Sequence, residues 1–239
     1  MGLPSLVLFA RAPEPGRVKT RLAPRLTAQG AAGLYRAFLE DAARAYPAPD
    51  SWRSVLYADP GPLDPLLAPL FPAPWLGEAQ AAGDLGRRLR EAFEREFARG
   101  APAVLAIGSD HPALPRESLA RAFAAMARGD GAVLIPAEDG GYCAIGLSAG
   151  VPAAEVFREV PWSTAAVLAT TLERLVASGI RHRVLPGGYD VDRPEDVDRL
   201  SRDLAARDPR EEGYPVATAR ALGVRNAVRV ETATRREPE

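Results

Sequence analysis

The chain has 239 residues, a formal charge of −1 with acids and bases interleaved, and 47% hydrophobic residues. That balance excludes a non-specific nucleic-acid binder, which needs a net basic face. One cysteine, Cys143, excludes an intrachain disulfide framework and fits a reducing compartment. No basic segment precedes the short apolar run at the N-terminus, and no stretch approaches the roughly 20 apolar residues of a membrane span. A cytoplasmic protein without a membrane segment is expected.

Taken in chain order, strand and helix signals alternate. Leu6–Ala10 is a continuous apolar run of buried-strand type. Thr27 caps a helix expected over residues 28–46, with Leu34, Phe38 and Ala42 on one face. Arg53–Tyr57 reads as a strand, and a proline-broken stretch runs from Pro60 to Pro74. Asp84 caps an amphipathic helix to about Arg99, striped by Leu85, Leu89, Phe93 and Phe97. Ala103–Ile107 is a second buried strand, and Pro115–Arg128 a helix with Pro near its first turn. Strands follow over Ala132–Ile135 and Tyr142–Leu147. A helix over Ser163–Ser178 is expected, capped by Ser163 and stopped by Gly179. Arg181–Leu185 is a strand, and Pro194–Ala206 a helix capped by Asp192 or Arg193. This alternation predicts an α/β fold: a single doubly wound, mostly parallel sheet with helices on both faces. One domain over residues 1–224 is expected, followed by a polar tail over 225–239.

Ligands in such a fold bind outside the carboxyl ends of the strands, so the segments after the strands carry the chemistry. The first holds Arg11, Arg17, Lys19 and Arg21 within eleven residues. Lys19 is the only lysine in the chain, against 29 arginines. A lysine offers a compact point charge where arginine offers a planar fork, and suits a crowded oxyanion cluster. Gly16-Arg17-Val18-Lys19-Thr20 fails the phosphate-loop pattern, which needs Gly directly before the Lys and another five residues earlier. The dinucleotide fingerprint is also absent. Pro13 and Pro15 supply no N–H, so this loop must work through side-chain charge. The bland alternative is a solvated basic turn.

The strand ending at Ile107 leads into Gly108-Ser109-Asp110-His111-Pro112. Asp110 suits Mg²⁺ or Mn²⁺, which take one or two carboxylates plus phosphate oxygens; its structural alternative is a helix cap. His111 ranks behind it as a ligand. In Glu138-Asp139-Gly140-Gly141-Tyr142, the glycines let backbone approach a ligand and Asp139 can position or deprotonate an acceptor. An Asp-Gly hairpin turn satisfies the same residues. Asp190 and Asp192 lie two apart on an extended segment and share a face. Asp192 is either a second metal carboxylate or the cap of the helix at Pro194, whose first turn carries Glu195 and Asp196. Trp162 is a wall for a base or sugar, or core.

With these loops in hand, the chain resembles a known group. Residues 9–22, Gly108-Ser109-Asp110 with Pro112, Asp139-Gly140-Gly141-Tyr142, Trp162-Ser163-Thr164 and Tyr189-Asp190-Val191-Asp192 with Pro194-Glu195-Asp196 occur in the order of its motifs. The group is the GT-A-fold, nucleotide-diphospho-sugar transferase family of arsenosugar-biosynthesis or selenodomain-associated glycosyltransferases. More distantly the layout is similar to 2-phospholactate and molybdenum-cofactor guanylyltransferases. The resemblance implies Asp110 as metal carboxylate, Asp192 completing the site, and Arg11, Lys19, Thr20 and Arg21 facing phosphate. With Gly140, Gly141 and Trp162 on the substrate, the expected enzyme is a metal-dependent glycosyltransferase. It would use a nucleotide-sugar donor and a small-molecule acceptor, with Asp139 and Lys19 catalytic. The alternative is a nucleotidyltransferase that joins a nucleotide to a small phosphorylated acceptor and releases pyrophosphate. A non-catalytic nucleotide binder is disfavoured by so many strand-end carboxylates.

Overall fold

The computed structural model describes residues 2–224; the tail expected over 225–239 lies outside the described residues. Seven strands form one sheet: β1 Ser5–Arg11, β2 Arg53–Asp59, β3 Leu76–Ala79, β4 Ala103–Gly108, β5 Ala132–Pro136, β6 Tyr142–Ser148 and β7 His182–Val184. Their spatial order is β3-β2-β1-β4-β6-β5-β7. β1 pairs in parallel with both β2 and β4, β2 with β3, and β5 with β7. Only β6 runs against its neighbours, pairing antiparallel with β4 and β5. The expected doubly wound sheet is therefore present, with one reversed strand. The reversal follows from the short 137–141 connection, which has room for a hairpin but not for a crossover helix.

The helices are α1 Ala23–Ala45, α2 Leu85–Ala98, α3 Arg116–Ala127, α4 Ala153–Val156, α5 Val167–Ala177, α6 Pro194–Ala206 and α7 Val216–Ala221. Alternate strand residues feed two cores. Leu6, Leu8, Leu105, Ile107, Val133 and Ile135 pack under α1, α3, α6 and α7. Val7, Val55, Val104, Leu134, Ile145 and Leu147 pack under α2, α4 and α5. Leu6, Val7 and Leu8 are wholly buried, as expected of a central parallel strand covered on both faces.

Two expected caps are realised. Thr27 breaks α1 with φ 63° and ψ 165°, and its Oγ1 accepts the Gly30 N–H at 3.2 Å. Asp84 accepts the Arg87 N–H at 2.8 Å at the start of α2. The cap expected at Ser163 is not. Ser163 takes a left-handed φ of 64°, and α5 begins only at Val167. The Thr164 hydroxyl accepts the Ala166 N–H instead, so a local turn competes with the longer helix. Three short elements, β3, α4 and α7, lie beyond those the sequence suggested.

Because β1 has β2 on one side and β4 on the other, the chain winds away from β1 in both directions. The loops after β1 and β4 therefore diverge and leave a crevice at their carboxyl ends. Lys19 and Asp110 lie in those two loops.

Candidate active site

Lys19 sits in a left-handed conformation, φ 48° and ψ 37°, before a 3-10 turn over Thr20–Leu22. A non-glycine residue there is uncommon and has to be held by its surroundings. Its stem runs beside the rings of Tyr35 and Phe38, with Nζ 6.0 and 5.9 Å from their centroids. Its ammonium ends between two carboxylates, 2.6 Å from Asp110 Oδ1 and 2.7 Å from Asp192 Oδ1. The lysine side chain is 4% exposed, whereas those of Asp110 and Asp192 are 43% and 44% exposed. Burial lowers the Lys19 pKa, but the two carboxylates outweigh it and the net shift is upward, so the ammonium is retained.

Three loops are stitched around this triad. The Val191 N–H donates to the Asp110 carbonyl at 3.1 Å, and the Glu138 N–H to the Gly188 carbonyl at 3.2 Å. The buried His111 places Nδ1 3.0 Å from Asp190 Oδ1. Burial pushes the His111 pKa down, with Asp110 pulling the other way, so the ring is neutral near pH 7. His111 thus braces the Asp190 loop. Arg199 braces the next one, with Nη1 and Nη2 donating to Glu138 at 2.6 and 2.7 Å and its guanidinium 3.8 Å from the Tyr189 ring centroid.

Asp192 does not cap α6. Asp196 reaches back to accept the N–H groups of Asp192 and Arg193 at 3.0 and 2.7 Å, which leaves the Asp192 carboxylate for Lys19. Asp110 likewise caps nothing, since α3 begins at Arg116 with Pro115 before it. Asp139 is exposed at the β5–β6 turn, and its Oδ1 accepts the Gly141 N–H at 2.8 Å. The segment is thus a hairpin turn, and its exposed carboxylate lies near enough to act on Asp190. Burial first, then the neighbouring Asp139, Asp110 and Asp192, pushes the Asp190 carboxyl up to about 7. Two carboxylates thus hold one ammonium, with Asp190 and Asp139 as further acidic neighbours.

The remaining expected residues divide. Arg11 ends β1 with Nε 3.7 Å from Asp59 Oδ2, its side chain 62% exposed. Thr20 and Arg21 are exposed, and the Arg21 guanidinium has no partner among the described residues. Trp162 packs against Tyr142 and Phe157, with ring centroids 6.4 and 6.2 Å apart. A side chain at Gly86 of α2 would strike its indole, so the glycine makes room for the ring. Trp162 serves at least as a wall between α2 and β6. Gly140, with φ 90°, lies so close to Ala165 that an added Cβ would come within 2.2 Å of the Ala165 carbonyl oxygen. Its close approach is to the chain's own backbone, and Gly141 shows no comparable backbone contact.

The sequence reading passed over a polar group at the ends of β1, β2 and β3. Gln80 donates to the carbonyls of Ala10 and Tyr57, both at 2.9 Å. Arg88 donates to Gln80 Oε1 at 2.9 Å and to Asp59 Oδ2 at 3.3 Å. Asp59 follows an apolar strand and was detectable as a strand-end carboxylate. Gln80 was not, because β3 has no buried apolar signature.

The same residues bear on whether a divalent cation fits here. Among the described residues no three His, Cys, Asp or Glu side chains converge to hold a metal. Two carboxylates do share a cation, the Lys19 ammonium. Mg²⁺ and Mn²⁺ accept one or two carboxylates and complete their shell with water and phosphate oxygens. Asp110 and Asp192 fit that demand.

A family model described as "Uncharacterized protein conserved in bacteria (DUF2064)" matches residues 42–164, just over half of the chain. Among solved structures, a protein from Desulfovibrio desulfuricans G20, provisionally assigned as a nucleotide-diphospho-sugar transferase, is 30% identical. The match covers 95% of this chain and 99% of that one, with a TM-score of 0.80. A cytidylyltransferase from Leptospira borgpetersenii serovar Hardjo-bovis is 10% identical over the whole of both chains, TM-score 0.56. A 4-diphosphocytidyl-2C-methyl-D-erythritol synthase from Anaerococcus prevotii DSM 20548 is 11% identical, covering 84% of this chain and 98% of that one, TM-score 0.53. The last two share the fold alone. No curated protein matches the chain.

Proposed function

The chain belongs to the DUF2064 family of bacterial proteins, and on that footing we propose that it is a divalent-metal-dependent transferase taking a nucleotide-diphospho-sugar as donor. The sugar passes to a small-molecule acceptor, and the enzyme acts in the cytoplasm. Among the described residues no helix is long and apolar enough to cross a membrane. The acceptor class follows from the resemblance to arsenosugar- and selenodomain-associated transferases.

One observation carries the reading. A crevice in which two carboxylates share one ammonium, with Asp190 and Asp139 as acidic neighbours, opens beside a loop with exposed Arg11, Arg17 and Arg21. The first set demands another cation and the second an anion; a metal diphosphate satisfies both. Asp110 and Asp192 would hold the metal. When bound, the metal neutralises charge on the departing diphosphate. The chain's own groups do the rest. Arg11 and Arg21 draw the diphosphate to the β1 end, where Lys19, from the same loop, would add a donor to it. Asp139, on its turn, orients the acceptor hydroxyl or takes its proton. Preorganised donors of this kind supply much of a transferase's rate, about 10²–10³ for one donor.

A nucleotidyl transfer releasing pyrophosphate is the second reading. Three exposed guanidinium groups are enough cation for a triphosphate, which favours it. The released product separates the two: nucleoside diphosphate for sugar transfer, pyrophosphate for nucleotidyl transfer.

The test is thermal stabilisation by nucleotide-sugars and nucleoside triphosphates, with and without Mn²⁺, in wild type and Asp110→Asn. The amide keeps the shape and loses the charge. Asp110→Asn is expected to lose stabilisation by the ligand only when metal is present. Equal stabilisation of both proteins in saturating metal would remove Asp110 from the metal site.

A further inference from the structure

Lys19 occupies the position that a metal held by Asp110 and Asp192 requires. Its ammonium contacts one oxygen of each carboxylate at 2.6 and 2.7 Å. A hard divalent ion seeks oxygens of the same two groups at about 2.0–2.1 Å. An ammonium and a dication sharing both would repel strongly at that range. One must yield, and the ammonium sits on a flexible four-carbon stem. The neighbouring loop, with exposed Arg11 and unpartnered Arg21, is where a diphosphate would offer it new oxygens.

We propose that Lys19 is a resident counter-cation that holds Asp110 and Asp192 together in the ligand-free protein and exchanges places with the divalent metal, the ammonium moving onto the donor's diphosphate. The proposal rests on the metal-dependent reading above. It gives Lys19 two positions where the sequence suggested one.

Coupling follows from the exchange. Metal alone must turn a buried ammonium away from both its carboxylates and leave it without a replacement partner. Metal with diphosphate supplies that partner. The two ligands therefore bind with positive cooperativity, and by linkage each strengthens the other equally. Removing the ammonium removes the competitor, so a neutral stem of similar length should bind metal alone more tightly. A lysine that only clamps phosphate predicts no change in binding of metal alone.

Mn²⁺ binding, read from the free-ion electron paramagnetic resonance signal without any nucleotide, provides the first arm. Lys19→Met is expected to bind Mn²⁺ about tenfold tighter than wild type, within the usual range of coupling between sites. Asp192→Asn is expected to bind it more weakly. Equal or weaker binding in Lys19→Met, with wild type still binding, overturns the exchange and leaves the metal site standing. No Mn²⁺ binding by any variant, even when pyrophosphate is bound, overturns the metal reading itself.

The second arm needs no variant. With one lysine in the whole sequence, lysine-selective ¹⁵N and ¹³C labelling of the untagged chain gives a single side-chain signal. Saturating Mg²⁺ with pyrophosphate is expected to shift it, and pyrophosphate alone to shift it much less. A signal unmoved by Mg²⁺ with pyrophosphate overturns the proposal, whatever the folding of Lys19→Met.

Discussion

The two edges of the sheet treat buried charge in opposite ways. At the amino ends of the strands, Glu96 of α2 is wholly buried with a full set of donors. Ser5 Oγ donates to it at 2.8 Å, Tyr57 OH at 3.1 Å and Arg99 Nη1 at 2.8 Å, and Arg53 completes the pairing. Two cations and two hydroxyls thus serve one carboxylate. At the carboxyl ends the ratio inverts: Asp110 and Asp192 share Lys19, and Asp190 and Asp139 add acidic charge beside them. A saturated carboxylate ties elements together and asks for nothing more. An undersupplied cluster is costly by itself and becomes favourable only when a cation arrives.

Breaking the saturated edge should cost most. Glu96→Ala leaves Arg53 facing a buried hole and is expected to destabilise the chain by about 3–5 kcal/mol. Asp192→Asn, on a side chain that is nearly half exposed, should change stability by less than about 1 kcal/mol. Urea melts of the two variants measure the contrast. Equal losses would mean that the carboxyl edge is as structural as the amino edge.

A smaller effect is expected from Lys19→Arg. A fork cannot reproduce a single ammonium between two carboxylates in the space beside Tyr35 and Phe38. Affinity for the metal-bound nucleotide ligand should fall by about 1–3 kcal/mol, the range for one charge-assisted hydrogen bond. Calorimetry with the best ligand from the thermal screen reads it. Unchanged affinity would mean that shape does not matter at this position.

A further contrast concerns pH. The Asp190 carboxyl is pushed up to about 7 from 3.8 in the unfolded chain. Between those values the folded protein keeps a proton that the unfolded chain has released. Stability from this group is therefore complete below about pH 4 and declines as pH rises towards 7. Asp190→Asn should flatten that decline when divalent ions are chelated. Urea midpoints taken across pH 4.5 to 7.5 check it, and an unchanged slope would assign the decline to other groups.

Much of this was legible in the sequence, for reasons that differ by element. β1 and β4 announce themselves because both faces are buried and the runs Leu6–Ala10 and Ala103–Ile107 are wholly apolar. The Thr27 and Asp84 caps were readable because their signals are local. β3 was hidden because Leu76–Ala79 is a four-residue edge strand with mostly exposed side chains. The role of Asp192 was undecidable from sequence, since a cap and a ligand both need a carboxylate before Pro194. Only the back-bonding of Asp196 settles that Asp192 is not the cap. The partnership of Lys19 with Asp192 spans 173 residues, and no local pattern encodes it.

Gly140 shows how such a site constrains its own history. The residue sits in a motif that invites a ligand contact, yet what lies against it is the backbone of Ala165, and the Leu168 N–H bonds to its carbonyl at 2.9 Å. Any side chain there would wedge the Asp139 turn away from the segment that carries Trp162. A survey that equated intolerance of substitution with contact to the substrate would overlook that the contact with Ala165 alone already fixes Gly140, as a rivet does.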